Sequence, residues 1–81
     1  MKPAARKTRT LDMRPVIARG DPPFPVIMNA VAALGATEDL LLITPFLPSP
    51  LIEKLQSDGF QAQPERRSDG GWETRFVRGL T

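Results

Sequence analysis

The sequence predicts a two-layer α/β (α+β) sandwich of order β-α-β-α-β-β, with two helices on one face of a four-stranded mixed sheet. Three observations carry that prediction. Leu40-Leu41-Leu42-Ile43-Thr44 is a short apolar run between Thr37-Glu38-Asp39 and Pro45, the pattern of a central strand. Phe24, Ile27, Val31 and Leu34 recur at helical spacing. Ser68-Asp69-Gly70-Gly71 joins two extended segments and reads as a hairpin turn.

The elements follow in order. Residues 1–9 show no apolar periodicity and are expected to be a flexible basic arm, leaving 10–81 as a single domain. Thr10-Leu11-Asp12-Met13-Arg14 alternates, with Leu11 and Met13 on one face, and is expected to be the first strand. Pro15 cannot donate to a ladder, so the strand stops there and 15–23 form a loop. A proline in the first turn of a helix costs little, so Pro23-Phe24-Pro25 marks a helix over about 24–34, closed by Gly35. The strand at 40–44 then lies parallel to the first. Ser49-Pro50 reads as an N-cap followed by a proline, opening a second helix over 50–58. In it Leu51, Ile52 and Leu55 face inward, Gly59 ends it and Phe60 packs back. Strands at 60–67 and 72–78 form the closing hairpin, and Pro64 places the former at a sheet edge. In the last strand Trp72, Thr74 and Phe76 face the helices, leaving Glu73, Arg75 and Val77 on the open face.

Composition excludes several chemistries. The chain has 81 residues, with no cysteine, histidine or tyrosine. A thiol nucleophile, a persulfide carrier and any metal site built on thiolate or imidazole are therefore out. The missing cysteines fit a reducing cytoplasm, and no cofactor is expected. No apolar run approaches the ~20 residues of a membrane span, so no membrane partner is expected. The basic start is followed by no hydrophobic segment, so it does not read as a signal peptide. The net charge of +2 hides an asymmetry: Lys2, Arg6, Lys7 and Arg9 crowd the first ten residues, where there is no acid, and the remainder is net acidic.

The order of these elements, with a strand beginning Leu11-Asp12, proline-punctuated helix starts, a second helix ending in Gly59-Phe60 and a closing hairpin, resembles the TusA/SirA-like fold. That superfamily carries sulfur on the cysteine of a Cys-Pro-x-Pro motif at the first helix start. Pro23 and Pro25 match its prolines, but Pro22 stands where the cysteine would be. The resemblance therefore implies the fold and not sulfur relay. It is closest to an uncharacterised bacterial branch of that superfamily, through Leu11-Asp12-Met13-Arg14-Pro15, Ile43-Thr44-Pro45-Phe46-Leu47-Pro48-Ser49-Pro50-Leu51 and Gly71-Trp72, and it covers roughly residues 10–78. The branch has no assigned activity; the association of some members with hemerythrin-like domains or nitrogen-oxide metabolism is what implies an accessory role.

Three surfaces are candidates for function. The proline-rich loops follow parallel strands at one end of the sheet, where ligands of open α/β sheets bind. Arg19, Asp21, Phe24, Thr44, Phe46 and Ser49, with Arg14, are candidates to line a site for a small ligand or peptide. The alternative is that Phe24 and Phe46 are core and the prolines only stiffen the chain. Arg19-Gly20-Asp21 also spells a cell-adhesion tripeptide, but three-residue matches arise by chance. The open sheet face, with Glu73, Arg75 and Val77, is a candidate surface for a partner protein or a second copy. Lys2, Arg6, Lys7, Arg9, Arg66 and Arg67 are candidate nucleic-acid contacts. Against that stand the interleaved Glu65, Asp69 and Glu73, and the inward placement of Trp72 and Phe76, where an RNA-binding sheet displays aromatics. Asp12 is placed to pair with Arg14 or Arg75 or to cap a loop. For catalysis only a serine–lysine arrangement is available, with Lys54 near Ser49 or Ser57, and no oxyanion loop is recognisable. The residues thus point to a non-catalytic module that engages another protein, with nucleic-acid binding and small-ligand binding as alternatives and the oligomeric state open.

Overall fold

A computed structural model describes residues 7–78. Its elements are β1 (Lys7–Asp12), α1 (Arg14–Ala18), α2 (Pro23–Ala32), β2 (Glu38–Thr44), α3 (Ser49–Ser57), β3 (Phe60–Arg66) and β4 (Trp72–Arg78). The sheet order is β1-β2-β4-β3. β1 runs parallel to β2, and β4 is antiparallel to both β2 and β3. The mixed four-stranded sheet of the sequence reading is therefore present, with β3 and its Pro64 at an edge where a missing ladder donor does least harm.

The register sorts the side chains. Leu40 lies opposite Phe76 and Leu42 opposite Thr74, on the face covered by helices. There Met13, Leu40, Leu42, Phe60 and Phe76 pack with Ile27 of α2, Leu34 just beyond its end, and Leu51 and Leu55 of α3. A fully buried side chain of this size contributes roughly 1.5–3 kcal/mol. α3 ends as its sequence suggests: Gly59 takes φ +97°, its N–H donates to the Gln56 carbonyl at 3.1 Å, and Phe60 turns into the core. The Arg78 guanidinium then covers the Phe60 ring at 5.0 Å. In the β3–β4 turn Gly70 takes φ +89°, which a residue with a Cβ adopts only under strain.

Four local expectations are corrected. β1 begins at Lys7, not at Thr10, so Lys7 and Arg9 belong to the sheet and not to an arm. The Lys7 N–H donates to the Thr37 carbonyl, and Arg9 Nε pairs with Glu38 at 3.1 Å. Lys2 and Arg6 lie outside the described residues. Second, residues 14–18 are helical, where a loop was expected from 15. Asp12 Oδ1 accepts the Arg14 N–H at 3.0 Å, and Pro15 is already fixed at helical φ, so the proline that stops the strand also starts a turn. That turn packs Val16 and Ile17 against the core. Third, α2 closes through short i→i−3 bonds, Ala33 N–H to Ala30 and Leu34 N–H to Val31. Gly35 is therefore not its left-handed cap and instead donates its N–H to Glu38 Oε1 at 2.7 Å. Fourth, Pro48 is the N-cap of α3 and Ser49 its first residue, with no side-chain capping bond.

Thr74 is wholly buried between Leu42 and Pro64, and its Oγ1 has no hydrogen-bond partner among the described residues. A buried unpaired hydroxyl costs about 1–3 kcal/mol. Thr74→Val keeps the β-branched shape and removes that cost. Thermal unfolding should show the variant more stable, by about 1 kcal/mol.

Candidate functional site

Two chain segments leave the C-terminal ends of the parallel strands, and both are punctuated by proline. Pro22, Pro23 and Pro25 frame the start of α2; Pro48 and Pro50 frame the start of α3. Between them lies an apolar groove of about 200 Å³. Phe24 and Ile27 of α2 line it, with Phe46, Pro48, Pro50 and Leu51 from the end of β2 into α3. Ile17 of α1, Pro23 and Thr44 complete it. Among the described residues that line it, none is charged.

The phenylalanines are not core. Phe24 is 47% exposed and Phe46 52% exposed, and Val26 and Leu47 are exposed beside them. Phe24 lies in the first turn of α2, whose buried residue is Ile27, and stays half-exposed over the groove. Phe46 is held from below: the Thr44 hydroxyl donates to the Phe46 carbonyl at 2.6 Å.

Of the six loop residues expected to line a site, the structure brings together Phe24, Thr44 and Phe46. Arg19 and Asp21 do not join them. Arg19 Nε pairs with Asp21 at 3.1 Å, both side chains are exposed, and neither lines the groove. Ser49 also stays out, its N–H donating to the Leu47 carbonyl at 2.9 Å. Ile17, Pro23, Ile27, Pro48, Pro50 and Leu51 were missing from the expected set. Val16-Ile17 directly after a proline was the signal for the extra turn that supplies Ile17.

Arg14 lies at a second cluster instead. Its guanidinium bonds Asp12 at 2.9 and 3.0 Å and Asp69 at 2.9 Å, tying the end of β1 to the β3–β4 turn. Asp12 thus both caps the turn and pairs with Arg14, which holds its carboxyl below the usual range. Asp69 accepts from the Gly71 N–H at 3.0 Å and from Arg67 and Arg14. Those bonds, the Gly71 N–H foremost, draw its carboxyl from 3.8 down to about 2, against an opposing contribution from burial. The Asp12 and Asp69 carboxylates raise Arg14 above its ordinary value.

The open sheet face is built from paired charge. Arg75 reaches Asp39, which is buried, at 3.6 Å and donates to the Thr8 hydroxyl at 3.2 Å. Glu73 faces Arg67 at 3.7 Å. Val77 is half-buried beside Gln61, and Arg66 is exposed at the end of β3. The serine–lysine arrangement does not form: Lys54 pairs with Asp58 at 3.2 Å, and the Ser57 hydroxyl donates to the Lys54 carbonyl at 3.0 Å. Among the described residues no helix is long and apolar enough to cross a membrane.

Fold and site together define a small α/β domain with an apolar groove at the C-terminal end of its parallel strands. A family model described as an uncharacterised conserved protein, DUF2249, matches residues 10–78, and the chain belongs to that family. No curated protein and no solved structure matches the chain.

The Asp69 cluster makes a pH prediction. A carboxyl depressed in the folded state stabilises the fold above its unfolded pKa of ~3.9 and loses that effect as pH falls through about 2. Asp69→Asn should lower the urea midpoint at neutral pH. The gap between the two proteins should close as pH falls from ~4 towards 2.

Proposed function

We propose that this domain is a non-catalytic recognition module that takes a partner protein at the groove between Phe24 and Phe46. One observation carries the reading: two phenylalanines from different segments are half-exposed along one groove whose described lining carries no charge and includes three prolines. Exposed apolar patches with defined walls mark interaction sites on small soluble domains. The resemblance to TusA/SirA-like proteins supports the same view of the helix start as the working end of the fold. Pro22 at the cysteine position removes sulfur transfer and leaves recognition.

The sheet face is the weaker surface for this role. Arg75 and Glu73 are already engaged with Asp39 and Arg67, so a partner would compete with bonds internal to the fold. The same neutralisation weighs against a nucleic-acid reading, because Arg9, Arg67 and Arg75 each face a carboxylate of their own domain. The distribution of polar groups also favours a macromolecule over a small polar ligand, since the groove offers Thr44 as its one side-chain hydroxyl and that hydroxyl is committed to Phe46.

The test compares surfaces. Phe24→Ser with Phe46→Ser should leave stability within about 1 kcal/mol, because both side chains are already half in water. It should weaken capture of a partner from lysate by about 2 kcal/mol or more. Gln61→Lys with Gln63→Lys, on the open sheet face, should leave capture unchanged. Loss of capture by the sheet variant and retention by the groove variant would overturn the reading.

A further inference from the structure

We infer that the occupant of this groove is an uncharged peptide segment that inserts one aromatic or proline ring. The inference rests on the groove being the recognition surface and goes further by stating what that surface selects.

The first ground is the backbone. An ordinary helix start presents several free N–H groups and a positive dipole end, and so welcomes carboxylate or phosphate. Here two helix starts converge on one groove, and proline has removed most of those donors. Pro22, Pro23 and Pro25 have no N–H, nor do Pro48 and Pro50. Ser49 keeps an N–H but donates it to Leu47. An anion seated here would lose its hydration and find few donors in return.

Charge points the same way. The groove lining carries no ionisable side chain among the described residues. Arg19 and Asp21, close to the lining in sequence, pair with each other at 3.1 Å, and Glu53, two residues from Leu51, is exposed and outside the lining. A charged segment would meet no complement, and complementarity is what selects partners at desolvated surfaces.

Size narrows the occupant further. The groove holds about 200 Å³. An apolar cavity of roughly 150 Å³ accepts a benzene-sized guest. The space therefore suits one ring, and falls short of the ~300 Å³ at which pockets for drug-sized ligands begin. The walls are themselves rings, from Phe24, Phe46, Pro23, Pro48 and Pro50. Aromatic walls favour offset or edge-on ring contacts, and aromatic-lined grooves are the surfaces on which proline-rich segments dock. Because Pro residues fix the walls, little conformational entropy is lost on closure.

The experiment is a selection from a library of random peptides against the full chain, with Phe46→Glu and Phe24→Ser as counter-selections. Circular dichroism and thermal unfolding confirm that both variants fold. Enriched peptides should share a Phe, Trp or Pro at one position, lack Asp and Glu beside it, and bind either variant about tenfold or more weakly. Enrichment of acidic or basic peptides that still require Phe24 and Phe46 would overturn the inference and keep the recognition reading. Peptides indifferent to both variants, or no enrichment at all, would overturn both. Sedimentation of the free chain supplies the remaining outcome. A dimer at micromolar concentration that Phe46→Glu dissociates would make a second copy the occupant and overturn the peptide inference.

Discussion

Proline at the two helix starts is the constraint on which the rest of this structure depends. Each parallel strand ends in a segment where φ is fixed and donors are missing. The chain turns there, after β1 through the short α1 and into α2, and after β2 directly into α3. Because those turns are stiff, Ile27 and Leu51 fall onto the sheet while Phe24 and Phe46 stay outside it. The core and the groove are thus two consequences of one backbone restriction. Replacing these prolines with residues that carry an N–H would leave the hydrophobic pattern intact but would loosen the entry of both helices.

The opposite end of the same loops is fastened by charge. Arg14 joins Asp12 to Asp69, bridging the start of α1 and the β3–β4 turn. These pairs are partly exposed, and exposed pairs add little each. Their value lies in position. They hold the segment that delivers Ile17 to the groove, next to the residues that rigid prolines already place.

The parts of the fold that bury a regular face were legible in the sequence. β2 announced itself as an unbroken apolar run, and α2 and α3 by the spacing of Ile27, Val31, Leu34, Leu51 and Leu55. The hairpin followed from Asp69-Gly70. What escaped had no such signature. The first half of β1, Lys7-Thr8-Arg9, is an exposed edge whose side chains are all polar, so its pairing shows only in three dimensions. α1 was hidden because Pro15 argues equally for the end of a strand and the start of a helix. At the site, Phe24 shared the helical period of the core and Arg19 and Asp21 carried charge. Period and charge therefore pointed the wrong way for each. Burial depends on how far the helix start overhangs the sheet, and Arg19 is close enough to Asp21 to satisfy it locally.

Prolines leave the starts of α2 and α3 with few free N–H donors, which on the proposed reading makes the groove a site for a neutral ring and not for an anion. The most direct measurement is methyl NMR of the full chain titrated with toluene and, separately, with benzoate, which present the same ring with and without a charge. Saturable shifts are expected at Ile17, Ile27 and Leu51 with toluene and none with benzoate. Equal shifts with benzoate, or silence with both, would contradict that reading.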